Sequence, residues 1–461
     1  MKIERLEVPG LAQYSYIVSA EGRAAVIDPM RDIDRYTEYA AKHGLKITHV
    51  LETHIHADFA AGSTALLEAT GAELALSAYD EGEHYRYAMP HRSMKDGDAI
   101  EIGGARIQAL HTPGHTPEHL SFILFDSKRS PVAPMALFSG DFLFVGSLGR
   151  PDLLGDEAKQ GLAHQLFRSL HDRIAFLPDS VAIYPGHGAG SLCGAGMSDR
   201  AESTLGYERA TNPFFQLSEE AFVAEILASV PPMPRYYPRM KELNAHSAPA
   251  LRSMPGCRAL SPSDVAELAR QDDVTLLDLR RPEAFGGAHV PGSLNIGAGQ
   301  NLCLWAGWLL DANKRIVLIG ENGDDETVRR SLVRVGLDQV EGFLAKGMPA
   351  WIDAGLEFAR TKQLSAREVE RNSDKSLILD VRSEKEWKEG HIRGAMHIML
   401  GDLPRSIDSL PADRPIITVC DGGYRSSIAA SLLAQNGALD ASSMNDGMAA
   451  WRRQNFPLAR D

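Results

Sequence analysis

The sequence feature that most constrains the fold is the segment of residues 53–59, which reads THIHADF. It follows an apolar run, residues 47–52, that predicts a short buried strand, and it precedes residues 60–67, which predict the start of a helix. Two imidazoles and a carboxylate at such a strand-to-helix turn can converge on one ion, and mixed His and Asp ligands favour zinc or iron over calcium. A polar surface turn that contains two histidines by accident is the alternative.

Three later segments also place a His or an Asp at the end of a predicted strand or in a rigid loop. They are His115 in the run HTPGHTP, Asp141 after the strand of residues 136–140, and His187 after the strand of residues 181–184. The prolines and the glycine around His115 fix its loop, which suits a rigidly held ligand. A lone buried histidine is usually structural, but four such positions in this order are hard to explain without a metal.

Length and composition predict a soluble protein of several domains. The chain has 461 residues, which is too long for one hydrophobic core and indicates about two to four domains. Its net charge of -13 argues against a nucleic-acid partner and against a basic membrane-binding patch. No apolar run reaches the roughly 20 residues of a membrane span, and the N-terminus lacks a signal-peptide core. The 4 cysteines lie far apart without a C-x-x-C pair, so we expect a reducing, cytoplasmic location.

The motifs THxHxD, HTPGHT, SGD and PGHG together resemble those of the metallo-β-lactamase superfamily over about residues 1–250. That resemblance implies a two-sheet αββα sandwich with a metal at one edge. Dinuclear members, such as the glyoxalase II hydrolases, carry a histidine directly after the Asp of the first motif, whereas this chain has Phe59. Because a phenyl ring cannot ligate a metal, we expect one of the two ions to be missing.

Within the superfamily, the chain resembles the persulfide dioxygenases most. The resemblance implies one Fe(II) per chain, held by His54, His115 and Asp141, with open positions for oxygen and substrate. Three further groups would hydrogen-bond to the ligands or to bound water and orient them: His56, Asp58 and His187.

The segment GRPD, residues 149–152, also matches this subfamily. Arg150 in this segment is therefore expected to be either a buried structural cation or an ordinary surface arginine.

The chain departs from the glutathione-using members of this subfamily at two positions. Those members carry a Tyr shortly after the last His, and an Arg directly after an Asn-Pro pair. Here residues 188–194 read GAGSLCG, and Phe214 follows Asn212 and Pro213. The substrate-binding residues and the thiol that carries the persulfide are therefore left open, and we expect no strong preference for glutathione persulfide. Cys193 lies in the first of these segments, either as a sulfur relay or as a cysteine without function.

The second half of the chain contains an internal repeat. A proline-rich stretch, residues 231–239, is predicted to be a connector. Beyond it, three pairs of segments align at a spacing near 100 residues, namely 276–280 with 378–382, 289–292 with 391–394, and 347–351 with 447–451. A repeat of this length indicates a domain duplication. The expected domains are residues 1–250, 257–360 and 361–461.

Both copies resemble rhodanese domains, which are small α/β folds with a parallel sheet. The second copy reads CDGGYRS at residues 420–426, directly after the apolar strand of residues 416–419, and fits the rhodanese active loop C-x-x-G-x-R-S. Backbone N–H groups and the helix behind the loop would stabilise a thiolate at Cys420, and Arg425 adds positive charge. These two residues and Ser426 are expected to carry out sulfur transfer. A buried structural cysteine is the alternative.

The first copy lacks the groups that this chemistry needs. Its equivalent loop, residues 320–326, reads GENGDDE, with Gly320 at the nucleophile position and Asp325 at the arginine position. A loop with no thiol and four acids cannot store sulfur or attract sulfite. We expect the first copy to be inactive and to act as a spacer or packing surface.

The expected fold class is multi-domain α/β, with a metallo-β-lactamase αββα sandwich followed by two rhodanese-like domains with parallel sheets. The resemblance implies iron-dependent oxidation of a small thiol persulfide to sulfite, coupled to a sulfur transfer that makes or uses thiosulfate, as in sulfide detoxification. The expected partners are a small-molecule persulfide, O₂ and sulfite or thiosulfate, with no nucleic acid or membrane, in a homo-oligomer. A glyoxalase II-like thioester hydrolase using zinc hydroxide and a sulfur-binding adaptor without activity are the alternatives.

Overall fold

The computed structural model describes residues 1–251, 254, 256–321, 323, 325–411, 414–437 and 440–460. The chain divides into two compact units. The first unit comprises residues 1–255 together with 333–336, and the second comprises residues 256–332 together with 337–461. The two repeat copies therefore belong to one unit. Among the described residues, no helix combines the length and the apolar character that a membrane crossing requires.

Within its described residues, the first unit contains fourteen strands and six α-helices. The strands are β1 (Lys2–Val8), β2 (Gln13–Ala20), β3 (Arg23–Ile27), β4 (Lys46–Leu51), β5 (Glu73–Ser77), β6 (Arg92–Met94), β7 (Ala99–Ile102), β8 (Ala105–His111), β9 (Leu120–Asp126), β10 (Pro134–Gly140), β11 (Leu143–Phe144), β12 (Ser147–Leu148), β13 (Ala182–Pro185) and β14 (Ser203–Thr204). The helices are α1 (Asp34–Lys42), α2 (Ser63–Thr70), α3 (Asp156–Arg168), α4 (Leu205–Thr211), α5 (Glu219–Ser229) and α6 (Tyr237–Ala245).

Two six-stranded sheets face each other in this unit. Their strand orders are β1-β2-β3-β4-β5-β6 and β14-β13-β10-β9-β8-β7. One buried cluster joins the inner faces of both sheets, with Tyr16 and Val18 from the first and Phe122 and Phe138 from the second. Each such side chain contributes roughly 1.5–3 kcal/mol when it is fully buried. Separate clusters pack α1 and α2 on the first sheet and α3 and α5 on the second, so the predicted αββα sandwich is confirmed.

The described part of the second unit contains ten strands and ten α-helices. The strands are β15 (Ala259–Leu260), β16 (Val274–Asp278), β17 (Leu294–Asn295), β18 (Arg315–Ile319), β19 (Val340–Leu344), β20 (Lys362–Leu364), β21 (Leu377–Asp380), β22 (Met396–His397), β23 (Ile416–Val419) and β24 (Ala441–Met444). The helices are α7 (Pro262–Leu268), α8 (Pro282–Gly287), α9 (Leu302–Leu309), α10 (Glu326–Arg334), α11 (Gly347–Asp353), α12 (Ala366–Asn372), α13 (Glu384–Glu389), α14 (Leu403–Ser406), α15 (Tyr424–Gln435) and α16 (Gly447–Arg453).

The duplication is visible as two sheets of the same order. They run β15-β19-β18-β16-β17 and β20-β24-β23-β21-β22, and their strand pairs are parallel. β21 and β23 are buried along their whole length, as expected of parallel strands covered on both faces. Both copies also keep one ion pair, Arg280 with Asp278 and Arg382 with Asp380. The predicted fold class of the second half is therefore confirmed.

The first repeat copy packs against the helix that follows the CDGGYRS loop. The Asn295 Oδ1 accepts a hydrogen bond of 2.6 Å from the Ser427 hydroxyl of α15, and its Nδ2 donates to the carbonyls of Asp278 and Arg280. Tyr424, within the loop motif, donates to the carbonyl of Gly297 at 2.9 Å. The first copy, which has Gly320 at the nucleophile position, thus packs against α15 and the start of its loop.

Asn295→Ala is expected to lower the free energy of unfolding of the second unit by about 1–3 kcal/mol, because it leaves a buried hydroxyl and two buried carbonyls without their donor or acceptor. Thermal or denaturant unfolding followed by circular dichroism measures this change. Asn313→Ala is the matched control, since the Asn313 side chain is exposed and bonds only within its own turn. Equal stability of the two variants would contradict the packing role.

The prediction that residues 231–239 form a connector is wrong for the second half of this segment. Tyr236 and Tyr237 are only 4% and 2% exposed, and α6 begins at Tyr237. The proline composition is compatible with a helix here because Pro238 lies in the first turn, where no intrahelical hydrogen bond from its nitrogen is needed.

Candidate metal centre and sulfur-transfer loop

The ends of three strands bring the predicted ligands to one place in the first unit. His54 follows β4, His115 follows β8, and Asp141 follows β10. Their ligand atoms all lie within 4.8 Å of one another, and all three side chains are buried. His54 Nε2 and His115 Nε2 lie 3.9 Å and 3.5 Å from Asp141 Oδ2. Two imidazoles and one carboxylate thus converge on a common point.

The second ring nitrogen of each of the two histidines, Nδ1, already makes a hydrogen bond. The Thr53 hydroxyl donates to Asp28, so its oxygen accepts the Nδ1 proton of His54 at 2.9 Å. His115 Nδ1 donates to the Arg150 carbonyl at 2.8 Å. Both Nε2 atoms therefore carry lone pairs, which is the state that binds a metal.

The three converging atoms, His54 Nε2, His115 Nε2 and Asp141 Oδ2, have no hydrogen-bond partner within the described parts of the chain. A buried polar atom without a partner costs about 1–3 kcal/mol. Burial also lowers the pKa of His54 and of His115 well below the usual value, so both imidazoles are neutral. The residues present therefore fit one divalent cation held by two His and one Asp.

His187 joins the converging group to a second carboxylate. Its Nδ1 lies 2.7 Å from Asp141 Oδ1 and its Nε2 lies 2.8 Å from Asp58 Oδ2. Burial alone would lower the pKa of His187, but the Asp141 and Asp58 carboxylates raise it well above the usual value. With both ring nitrogens facing carboxylates, His187 fixes the orientation of Asp141.

His56 is held by a different carboxylate. Its Nε2 lies 3.0 Å from Asp28 Oδ1, and although burial alone would lower the pKa of His56, Asp28 raises it. Its ring lies 4.4 Å from the ring of Phe59, which is fully buried. Phe59 thus places an apolar ring at the position where dinuclear members of the superfamily carry a histidine.

Cys193 lies beside the metal centre. Its thiol belongs to a group with Asp58 and His187 whose ligand atoms lie within 4.8 Å of one another. The cysteine is buried, and burial raises the pKa of its thiol well above the usual value. A thiol in this state is a poor nucleophile.

Arg150 is a buried cation, being only 1% exposed. Its guanidinium donates two hydrogen bonds, of 2.7 and 2.8 Å, to Asp152 and one to the Leu192 carbonyl. Since its own carbonyl accepts from His115, the ion pair fixes the backbone that positions this ligand.

Several residues that support the centre were not predicted from the sequence. Asp28 accepts hydrogen bonds from both the backbone N–H and the hydroxyl of Thr53, at 2.7 and 2.9 Å. His119 Nε2 accepts the backbone N–H of Asp141 at 3.1 Å, and its ring stacks on that of His54 at 5.2 Å. Burial lowers the pKa of His119 to about 3, which keeps it neutral as an acceptor.

Helix α6 supports the backbone of the THIHADF segment. The Lys241 ammonium donates to the carbonyl of Ile55 at 2.9 Å. Asn244 donates to the carbonyls of His56 and Phe59 at 2.8 and 2.7 Å. The spacing of Tyr237, Lys241 and Asn244, which places polar side chains on one helix face, is the sequence signal that could have found this role.

The loop that is predicted to transfer sulfur, residues 420–426, lies in the second unit. Cys420 follows β23 and is 1% exposed. The Gly423 backbone N–H donates to its Sγ at 3.1 Å, and the Ser426 hydroxyl lies 3.5 Å from the same sulfur. Gly423 has a φ of +92°, which a glycine adopts without strain, and α15 begins at the next residue. The loop therefore places backbone N–H groups and a helix N-terminus around one sulfur.

The equivalent loop of the first copy holds Gly320 and Asp325 at the corresponding positions, while Asn322 and Asp324 lie outside the described residues. A pocket there is lined by Gly320, Glu321 and Asp325, and no thiol is among its lining residues in the described part of this loop.

Comparison with known proteins agrees with this architecture. The metallo-beta-lactamase superfamily model matches residues 8–187, and the rhodanese-like domain model matches residues 261–354 and 365–454. The chain is 31% identical over 246 residues to a hydroxyacylglutathione hydrolase of Polaromonas sp., covering 48% of this chain and 88% of that protein. It is 32% identical over 219 residues to the mitochondrial persulfide dioxygenase ETHE1 of Bos taurus, covering 47% of this chain and 76% of that protein.

Among solved structures, the chain is similar to a metallo-beta-lactamase from Staphylococcus aureus. The TM-score is 0.67 at 34% sequence identity, and the match covers 75% of this chain and 99% of that one. The match therefore extends beyond the superfamily region into the second half of the chain. The hydrolase and the dioxygenase relatives are equally similar to this chain, at about 31% identity. Sequence identity therefore does not indicate which of the two activities the chain has, and the side chains of the candidate metal centre are the better guide.

Proposed function

Because the chain belongs to the metallo-β-lactamase superfamily and carries two rhodanese-like domains after that domain, we propose that it is an iron-dependent persulfide dioxygenase with a sulfur-transfer domain. The observation that carries the proposal is the group of His54, His115 and Asp141, with Phe59 at the position where dinuclear members have a ligand. The proposed domains are residues 1–250, 257–360 and 361–461, the first rhodanese-like domain being inactive. The homo-oligomer stays a prediction.

The proposed overall oxidation is RSSH + O₂ + H₂O → RSH + SO₃²⁻ + 2H⁺. Fe(II) at this centre would supply the redox chemistry and the open positions for a persulfide sulfur and O₂. His54 and His115 provide neutral nitrogens, and His187 orients Asp141 through its 2.7 Å hydrogen bond. Burial of the three side chains keeps bulk water away from the reacting groups.

In the second rhodanese-like domain, we assign the nucleophile to Cys420, with its loop completed by Arg425 and Ser426. The thiolate would attack the outer sulfur of a persulfide, so that the donor S–S bond breaks, RSH leaves, and a Cys420 persulfide forms. Sulfite could then take this sulfur and leave as thiosulfate, which restores the Cys420 thiol. The same steps in reverse use thiosulfate as the donor.

A thioester hydrolase is the second candidate, since the hydroxyacylglutathione hydrolases are similar to this chain at the same level of identity. Asp58 and His187 stand where such an enzyme would need second-ion ligands. However, both nitrogens of His187 are engaged by carboxylates, and Phe59 offers no ligand atom. These two side chains favour the oxidation over the hydrolysis.

The two candidates predict opposite results with the same purified protein. With glutathione persulfide or coenzyme A persulfide, we expect oxygen uptake and the appearance of sulfite, measured with an oxygen electrode and by chromatography. With S-lactoylglutathione, we expect thioester hydrolysis at background rate. Rapid thioester hydrolysis without oxygen uptake would replace the proposed function by the second candidate.

A further inference from the structure

The arginine of the sulfur-transfer loop is already paired with a carboxylate. Arg425 donates from its two terminal nitrogens to Glu386, at 2.8 and 2.6 Å, in the bidentate geometry that guanidinium groups form with carboxylates. Glu386 is itself fixed, because the same side chain accepts from the backbone and the hydroxyl of Ser383 in a capping box at the start of α13. The two side chains are only 23% and 29% exposed.

The pairing persists over the whole range of pH in which sulfur transfer can be assayed. Burial opposes ionisation of Glu386, but the two hydrogen bonds from Arg425 hold its pKa down at about 2. The other charge of the loop, Asp421, is paired with Arg452. Within residues 420–426, which are all described, no cation is therefore left without a carboxylate partner.

In the internal repeat, the Glu386–Arg425 pair and the loop cysteine are both present in the second copy and both absent from the sequence of the first. Alignment of Arg382 with Arg280 places Ala284 opposite Glu386, and alignment of Cys420 with Gly320 places Asp325 opposite Arg425. The first copy has thus lost the thiol and both members of the ion pair.

The ion pair of Asp380 with Arg382, by contrast, is retained in the first copy as Asp278 with Arg280. A pair required only for the fold would be expected in both copies, as this one is. The pair of Glu386 with Arg425 therefore belongs to the chemistry of the loop.

We propose that Glu386 determines the anion specificity of the Cys420 loop by competing with incoming anions for Arg425. A dianion such as thiosulfate or sulfite would have to exchange with, or approach, the Glu386 carboxylate, and like charges at such a distance repel. A persulfide carries at most one charge on the reacting sulfurs and can be held by the backbone N–H groups alone. The loop would therefore bind persulfides in preference to the dianions. This inference rests on the proposed sulfur transfer at Cys420.

The step concerned is RSSH + Cys420–SH → RSH + Cys420–SSH, in which one S–S bond breaks, one forms, and the proton ends on the released thiol. With thiosulfate as donor the same bond forms and sulfite leaves. Only the second donor brings two negative charges to Arg425, so only its binding should respond to Glu386.

Glu386→Gln tests the proposal. Glutamine keeps the capping box with Ser383 but removes the negative charge. We expect KM for thiosulfate, measured by transfer to cyanide, to fall about fivefold, the size expected for removing one partly exposed charge. KM for glutathione persulfide should change by less than about twofold under the same screening.

Two controls make the result specific. Glu368→Gln removes the glutamate of the equivalent capping box with Ser365 in α12, and it should leave both KM values unchanged. In an Arg425→Ala background, Glu386→Gln should lower KM for thiosulfate by clearly less than in the wild-type background, because the competition for Arg425 is then absent.

A raised KM for thiosulfate, or an equal loss of rate with both donors, would instead show that Glu386 positions Arg425, and it would overturn the competition. Unchanged KM values in an active Glu386→Gln protein would overturn it as well. If the wild-type protein transfers sulfur from neither donor, the proposed sulfur transfer fails, and this inference fails with it.

Discussion

His115→Ala is expected to abolish oxygen uptake with persulfide while leaving sulfur transfer at Cys420 intact. The substitution removes one of three converging ligand atoms and leaves a void in a fully buried site. Loss of a group that merely supports a metal ligand typically costs 10- to 100-fold in affinity or activity, so loss of a ligand should cost at least about 100-fold. Iron content, oxygen uptake and thiosulfate:cyanide transfer are measured on the same preparation.

The control for this variant is His246→Ala, because His246 is an exposed residue that bonds within its own helix. It should retain iron, oxygen uptake and transfer. A His115→Ala protein that keeps one iron and takes up oxygen at the wild-type rate would remove His115 from the centre. Loss of both activities together would show instead that the substitution unfolds the chain, and circular dichroism would identify that case.

Cys420→Ser is expected to give the reverse result, with oxygen uptake retained and sulfur transfer lost. A serine hydroxyl is barely ionised near neutral pH, whereas the thiolate is the form that takes up sulfur. Removal of a nucleophile of this kind should cost about a thousandfold or more in transfer rate. Serine is close in size to cysteine, and the Gly423 N–H that faces the sulfur can donate to its hydroxyl. The loop should therefore keep its conformation.

The products distinguish the two centres further. If the wild-type protein joins sulfite to a second persulfide sulfur, its product is thiosulfate and the product of Cys420→Ser is sulfite, which chromatography resolves. Gly320→Ala is the matched control in the first copy: an added methyl group would meet no atom closer than 3.6 Å, and the product ratio should not change. Thiosulfate at the wild-type ratio from Cys420→Ser would remove Cys420 from the sulfur chemistry.

The fold class and the convergence of His54, His115 and Asp141 could be predicted because each residue directly follows a strand or lies in a rigid loop. Their motifs are local in sequence, and the resemblance to a superfamily implies the two-sheet αββα sandwich with a metal at one edge. Arg150 shows where sequence reasoning stops. Its burial depends on Asp152 and on the Leu192 carbonyl, and nothing in the GRPD segment alone distinguishes this from an exposed arginine.

Asp28 and His119 could not be predicted, because their roles depend on pairings between distant elements. Asp28 reaches Thr53 only because β3 and β4 are parallel neighbours in the sheet. The backbone of Asp28 has a φ of +52°, which the sequence around it does not predict. His119 resembles other polar residues of its proline-rich loop until the sheet places it against His54.

The connector prediction failed for a related reason. Proline composition indicates an irregular backbone but carries no information about exposure. Tyr236 donates to the carbonyl of Asp58 across 178 positions of sequence, so a segment that was expected to be a linker is part of the wall of the metal centre.

The metal content of wild-type protein, purified without added metal and then tested for oxygen uptake with persulfide, examines the central proposal most directly. The proposed function predicts one iron per chain, held by His54, His115 and Asp141, with oxygen uptake proportional to iron and abolished by its removal. Two zinc ions per chain, with thioester hydrolysis and no oxygen uptake, would contradict the proposal.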